Sequence, residues 1–304
     1  MFQILLYYKY TTIKNPESLL EQQRELCVRL NLKGRIIIAE EGINGTVEGL
    51  TEDTEKYIQE MQLDPRFTNM NFKKSAGTGN AFPRLSIKVR AEIVSGHLGD
   101  ADINPTQVTG KYITAEELHS WIHSHKEFYI VDMRNDYEHK IGFFSAKGGS
   151  AFGGKNSILL PLKQFRDLPK ILPALEHLKN KTIVTVCTGG VRCEKASGFL
   201  VKNGFADVYQ LHNGIVSYME KYPEEDFKGK LYVFDGRITM AFNSPTTEHE
   251  IVGRCDKCKE PSENYVNCNL PSCNAHFICC KQCYESNGRV FCSLECAEKM
   301  LVLA

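Results

Sequence analysis

No run of apolar residues in this 304-residue chain approaches the length needed to cross a bilayer, so no membrane-spanning helix is expected. The N-terminus lacks the basic start and small-residue cleavage site of an export signal, and its brief apolar run FQILLYY reads as a first strand. Net charge is missing too. The 37 basic residues face 37 acidic ones, so no global field attracts nucleic acid or membrane, and a charged partner must be met by a local patch. No glycine-rich dinucleotide fingerprint occurs, and a tightly bound flavin or nicotinamide is not expected. Without an export signal the expected compartment is the cytoplasm, where cysteines stay reduced or bind metal. Twelve cysteines are many for that compartment, and nine of them fall between Cys255 and Cys296. The length suits two or three domains.

What is present concentrates on residues 181–203. The run TIVTV at 182–186 is β-branched and apolar, as in a strand buried within a parallel sheet. From Cys193 onward, Ala196, Phe199 and Leu200 recur at helical spacing, and Gly204 is placed to end the helix. The loop between them holds Cys187, Thr188, Gly189, Gly190, Val191, Arg192 and Cys193. Glycines let backbone N–H groups turn toward one point, and a helix N-terminus adds partial positive charge. A cysteine there, with Arg192 near it, is expected to ionise readily and act as a nucleophile. The alternative is an inert cysteine in an ordinary turn. It is disfavoured because Cys, two Gly and Arg coincide where open α/β sheets bind ligands. Cys193 could resolve an oxidised or persulfidated Cys187 or simply pack in the core, and the core reading is preferred.

Along the chain, residues 1–96 read as strands over 4–8, 33–39, 45–48 and 85–89 with helices over 17–30 and 53–61. That βαββαβ order is a ferredoxin-like (acylphosphatase-like) α+β domain. Cys27, on the apolar face of the first helix, reads as core. Gly42-Ile43-Asn44-Gly45 joins two strands and is better read as a tight turn than as a nucleic-acid clamp. Between Arg66 and Arg90 there are basic residues and no acidic ones: Lys73, Lys74, Arg84, Lys88 and the two arginines, interleaved with Phe67, Phe72 and Phe82. Two readings fit: phosphate contacts plus aromatic stacking on single-stranded RNA, or a solvated face over core phenylalanines. Residues 97–112 lack periodicity and read as a linker. Residues 113–226 alternate strands with helices, which predicts a doubly wound parallel sheet. Thr114 and Glu117 form a capping box there, and a strand over 128–131 runs into Asp132 and Arg134. A glycine-rich insertion, residues 147–154, reads as a surface loop in preference to a lid.

Residues 227–304 form the cysteine-rich end. Thiolates paired two to four residues apart suit tetrahedral Zn²⁺, and four pairs suit two closed structural sites. The expected ligands are Cys255, Cys258, Cys268, Cys273, Cys279, Cys283, Cys292 and Cys296. One of Cys279 and Cys280 is surplus, and spacing does not distinguish them. Cross-braced and sequential pairings both fit. Disulfides are disfavoured by the compartment, and an iron–sulfur cluster by the absence of its triplet spacing.

The loop encloses four residues between Cys187 and Arg192, as in sulfur-handling rhodaneses, one fewer than in related phosphatase loops. VDMRNDYEHKIG, CTGGVRCEKAS and DVYQLHNGIVSY resemble rhodanese domains in order and spacing, with Gly142-Phe143-Phe144 departing from the family's Gly-His-apolar step. Together with EEGINGTVEG, FPRLSIKVRAEIV and the cysteine-rich end, nearly the whole chain is similar to the bacterial rhodanese-domain tRNA uridine hydroxylases. The resemblance implies oxygen-dependent 5-hydroxylation of the wobble uridine. Molecular oxygen would be a substrate, the tRNA anticodon loop the partner and Cys187 the essential cysteine, with Asp132 and Arg134 bracing its loop. It also favours RNA contact for Lys73, Lys74, Arg84, Lys88 and Arg90. Persulfide transfer on Cys187 is the rival reaction, and a non-catalytic scaffold the rival class.

Overall fold

The computed structural model describes the chain apart from residues 100–101, 125, 146–156, 224, 243–249, 274 and 303–304. The insertion at 147–154 lies outside the described residues. The first sheet comprises β1 (Phe2–Tyr10), β2 (Lys33–Ala39), β3 (Gly42–Leu50), β4 (Phe72–Ala76) and β5 (Leu85–Val89), in the order β4-β1-β3-β2-β5. Helices α1 (Pro16–Arg29) and α2 (Thr51–Leu63) pack on one face of it. Asn15 caps α1 by accepting the Ser18 N–H at 3.0 Å, with Pro16 opening the first turn. Strand alternation then divides β1: Leu5 and Tyr7 enter the helical core, while Ile4, Leu6 and Tyr8 stand on the open face. Cys27 belongs to the core as expected, and burial pushes its thiol up to about 12.

Two features depart from the sequence reading. Strand β4 went unseen because FKKSA alternates no apolar face. The β2–β3 turn falls at Glu40–Glu41, since Ala39 pairs with Gly42 and leaves a two-residue connection. The Gly42–Gly45 segment therefore runs inside β3.

The second sheet follows in chain order: β6 (Lys111–Ile113), α3 (Ala115–Ile122), β7 (Tyr129–Asp132), α4 (Asp136–His139), β8 (Gly142–Phe144), β9 (Ile158–Leu159), α5 (Leu168–Leu175), β10 (Thr182–Val186), α6 (Val191–Lys202), β11 (Asp207–Leu211) and α7 (Gly214–Lys221). Its order is β6-β11-β10-β7-β9, all pairings parallel. One apolar core lies under α5 and α6 and another under α3 and α7, so both faces are covered and the expected doubly wound arrangement is present. The Thr114–Glu117 capping box is formed. Leu98 and Ile103, from the segment without periodicity, are buried in the first of these cores. No helix among the described residues is long and apolar enough to cross a membrane.

Beyond it come β12 (Phe227–Gly229), which pairs with β8, then β13 (Leu231–Tyr232), β14 (Thr239–Met240), β15 (Tyr265–Asn267), β16 (His276–Ile278), α8 (Lys281–Asn287) and α9 (Leu294–Val302).

The two sheets are clamped by Lys195 of α6. Its side chain is wholly buried, with Nζ 2.9 Å from Glu41, 3.2 Å from Glu92 and 3.2 Å from Asp102. Removing one partner of a buried ion pair costs about 3–5 kcal/mol. The carboxylates here keep some solvent, so Lys195→Met should cost about 3 kcal/mol, the lower end of that range. Urea unfolding would read this as a lowered midpoint, and an unchanged midpoint would deny the clamp.

Candidate active site

Strand β10 ends at Val186 and α6 begins at Val191, two residues before the helical spacing suggested. The turn between them explains its glycines. Gly190 sits at φ +102°, and a Cβ there would lie 2.8 Å from the Tyr8 hydroxyl. A Cβ on Gly189 would meet Leu6 at 3.0 Å. Gly190 is needed for its left-handed backbone, and a side chain at Gly189 would crowd Leu6, because the open face of the first sheet presses onto the loop. From the other side, the first N–H groups of α7 are satisfied by loop carbonyls: Ile215 N–H donates to Cys187 O at 2.9 Å and Val216 N–H to Thr188 O at 3.1 Å.

Cys187 is buried, and the Gly190 N–H donates to its Sγ at 3.3 Å. Burial alone would push the thiol up. The Cys193 thiol, the Arg192 charge and loop N–H groups outweigh it and bring Cys187 down to about 6. Cys193 is held well above the ordinary thiol range by burial and by the neighbouring Cys187, so it stays a thiol. Like Cys187, it is buried in the α5–α6 core.

Arg192 acts by its charge. Its guanidinium forks onto Glu138, at 2.5 and 2.8 Å, and its third contact is the Thr188 hydroxyl at 3.4 Å. Glu138, fully buried, was missed from sequence. Its signal was the N-x-x-E start of α4, where Glu138 also accepts the Asn135 N–H at 2.9 Å. Asp132 and Arg134 form a second buried fork, at 2.7 Å, whose arginine reaches the Gly142 carbonyl at 2.7 Å. This pair fastens β8 to the end of β7. Its tie to the loop runs through backbone pairing of Asp132 with Val186.

Above Cys187 lies a cavity of about 700 Å³. Cys187, Gly189 and Arg192 form one wall. The open face of the first sheet supplies Leu6, Tyr8, Arg35 and Lys73, and the segment around β13 and β14 supplies Phe234, Arg237 and Met240. Arg237 holds that segment against β4 through the Ser75 hydroxyl at 2.9 Å and the Ala76 carbonyl at 3.0 Å. Of the basic residues singled out from sequence, Lys73, Lys74 and Arg90 line the cavity, whereas Arg84 and Lys88 are exposed outside that lining. Lys73 is buried with its ammonium 5.2 Å from the Tyr8 ring, and burial draws it down to about 8. Lys74 is bound to Glu55 at 2.6 Å. Phe67 is a core residue, Phe72 packs on Tyr7, and Phe82 lines the cavity but is buried beside Ile4 and Ala81. None of the three phenylalanines is a free stacking surface. The exposed aromatic of the cavity is instead Phe234. Sequence reading had no signal for it, because the segment carrying it reaches the cavity only through tertiary packing.

The tail holds two four-cysteine clusters, Cys255–Cys258–Cys280–Cys283 and Cys268–Cys273–Cys292–Cys296, each with its sulfurs within 4.8 Å of one another. The pairing is cross-braced, first pair with third and second with fourth. Cys280, and not Cys279, is the fourth member of the first cluster. Successive residues leaving β16 point to opposite sides, which turns Cys280 to the cluster and Cys279 into the core. Sulfur–sulfur distances of 3.5–3.6 Å approach the roughly 3.8 Å edge of a tetrahedron with 2.3 Å metal–sulfur bonds. Backbone N–H groups of Cys280 and Cys283 donate to cluster sulfurs at 3.3 and 3.4 Å. Both clusters can hold a metal ion, with a donor set compatible with zinc.

Three family models match the chain: the UPF0176 acylphosphatase like domain over residues 2–93, the Rhodanese-like domain over 114–221 and the Rhodanase C-terminal model over 228–297. Curated relatives extend across nearly all of it. A tRNA uridine(34) hydroxylase of Bacillus cytotoxicus is 45% identical over 97% of this chain and 87% of its own length. One of Cytophaga hutchinsonii is 42% identical over 97% and 89%, and one of Bacillus licheniformis 45% over 92% and 84%. Among solved structures, a bacterial light-regulated adenylyl cyclase matches 29% of this chain and 27% of its own at TM-score 0.26 and 22% identity.

Proposed function

Because this chain belongs to the tRNA uridine(34) hydroxylase family, we propose that it hydroxylates carbon 5 of the wobble uridine in the anticodon loop of tRNA, in the cytoplasm, with molecular oxygen as substrate and Cys187 at the reacting centre. The observation carrying this reading is a buried cysteine favoured as thiolate at the foot of a roomy, basic cavity. An anticodon-loop base is already unpaired, so presenting it to such a cavity costs little. Phe234 would stack on the base, while Arg35, Lys73 and Arg90 would meet its phosphates.

Carbon 5 of uracil is not electrophilic, but carbon 6 accepts a thiolate. Addition of the Cys187 sulfur at carbon 6 gives an enolate that is nucleophilic at carbon 5. One oxygen atom is bonded there, and the second is reduced to water by two electrons from an external reductant. Loss of the carbon-5 proton and expulsion of the thiolate restore the ring. The Gly190 N–H and the Arg192 charge steady the sulfur at both ends of this sequence. An anticodon stem-loop carrying 5-fluorouridine should therefore trap a covalent adduct with the wild-type enzyme. Its absence from an active preparation would exclude the addition step.

The two cysteine clusters are inferred to hold Zn²⁺ as closed structural sites, since four thiolates leave no open coordination position.

Nucleoside mass spectrometry tests the function. In cells lacking the gene, 5-hydroxyuridine derivatives should return with the wild type and not with Cys187→Ala. A change in thiolated nucleosides instead would make the protein a sulfur carrier. The phosphate contacts have their own test. Arg35→Gln with Arg90→Gln should lower the salt slope of tRNA binding by about 1.4, at roughly 0.7 per contact on a single strand. An unchanged slope removes both from the interface. The same pair of changes at Arg84 and Lys88 measures whether the footprint extends past the cavity.

A further inference from the structure

The connection between α7 and β12 meets α3 at a cluster that the proposed hydroxylation does not use. His119 and His123 are four residues apart along α3 and its C-terminal cap, with their rings 4.3 Å apart. His119 Nε2 lies 2.6 Å from Glu225 Oε2, and His123 Nε2 lies 3.1 Å from Asp226 Oδ2. One ligand atom from each of the four falls within 4.8 Å of the others. Simple ion pairs account for these distances only in part. Asp226 is 1% exposed, and its Oδ1 has no hydrogen-bond partner. A buried carboxylate oxygen left this way is unfavourable unless something positive receives it.

We propose that His119, His123, Glu225 and Asp226 form a third metal site, for a single divalent transition-metal ion, which staples α3 to the connection leading into the C-terminal region. Two imidazole nitrogens and two carboxylate oxygens suit Zn²⁺, Co²⁺ or Ni²⁺. Mg²⁺ and Ca²⁺ prefer oxygen alone, and Cu⁺ prefers sulfur. The outer partners that orient ligands are already in place: the buried Tyr218 hydroxyl donates to Asp226 Oδ2 at 2.5 Å, and the His119 ring stacks on Tyr222 at 3.9 Å and 8°. The side chains of His123 and Glu225 are about half exposed, 46% and 48%, which gives an ion a path in. The donor set also separates this site from the cysteine clusters, because it lacks sulfur.

The test uses the full-length protein loaded with zinc at its cysteine clusters and titrated with Co²⁺. Weak ligand-field bands should appear without the sulfur-to-cobalt charge-transfer band, saturate at one cobalt per chain, and vanish in His119→Gln with His123→Gln. Glu225→Gln, a change at a half-exposed side chain, should weaken the binding at least tenfold, and His97→Gln should leave it unchanged. The proposal is overturned if no saturable band forms. It is equally overturned if the band persists in the double histidine variant or, should that variant not fold, if Glu225→Gln binds cobalt as tightly as the wild type.

Discussion

Replacing Cys187 with serine should reduce 5-hydroxyuridine formation by at least about 10³-fold, read as single-turnover conversion of an anticodon stem-loop, because effects of this size follow loss of a covalent nucleophile. The reason is ionisation. A thiol brought to about 6 supplies roughly ten thiolates for each thiol at pH 7. A serine hydroxyl in the same turn stays neutral, since the nearby carboxylate, Glu138, is committed to Arg192. Serine differs by one atom, so the fold should persist, and a folded Cys187→Ser enzyme with its full rate would remove this sulfur from the chemistry. The sign with pH follows from the same groups. The reactive form is the deprotonated one, so the rate should fall as pH drops through about 6 and level off above it. In Arg192→Gln with Glu138→Gln the buried charges leave together, which avoids a lone buried carboxylate. The midpoint should then move up toward the ordinary thiol value of about 8.5, because burial opposes ionisation and only the Gly190 N–H and the Cys193 thiol remain to favour it. An unmoved midpoint would assign the depression to those groups alone.

What could be read from residue order was local. The run TIVTV at 182–186 has the composition of a buried strand, and β10 has those bounds. The N-cap pair Thr114 and Glu117 marked α3 to the residue. Longer-range facts had weaker signals. Glu138 stands 54 positions from Arg192, and its visible role was only to open a short helix. The cavity walls were legible in part: a stretch free of acidic residues pointed to Lys73, Lys74 and Arg90, yet gave equal weight to Arg84 and Lys88. Pleating and sheet order decide among them. Leu6 lies beside Lys73 on one side and Thr46 on the other, and Arg35 follows Thr46, so one row of the open face runs toward the cavity. Such a row depends on register among four strands, which no single segment encodes. The choice between Cys279 and Cys280 failed for a related reason. One residue of shift reverses which side of an extended chain faces the cluster.

That reversal makes the two cysteines a sharp experiment. Cys280→Ser should remove one of the two thiolate-bound metal ions per chain, halving the sulfur-to-cobalt charge-transfer intensity of the cobalt-loaded protein, whereas Cys279→Ser should leave it intact. Cys280 Sγ lies 3.6 Å from Cys258 and accepts the Cys283 N–H at 3.4 Å. Cys279 is fully buried within the small core formed with Leu270, Phe277 and Val290. A hydroxyl there costs about 1–3 kcal/mol as a buried polar group with a poor partner. Structural zinc contributes on the order of 10 kcal/mol to folding small domains, so the loss at Cys280 should be far larger and should reach the cavity. Tyr265 of β15 and Ile278 of β16 pack with Tyr232 of β13, and the Tyr232 hydroxyl meets His276 Nδ1 at 2.8 Å. Tyr232 in turn lies two residues before Phe234, with ring centroids 5.3 Å apart. Loosening the first cluster therefore loosens the wall that carries Phe234 and Arg237. Cys280→Ser should weaken tRNA binding as well as metal binding, while Cys279→Ser should lower stability with both preserved. If Cys279→Ser instead loses the metal, the register leaving β16 is the reverse of the one described.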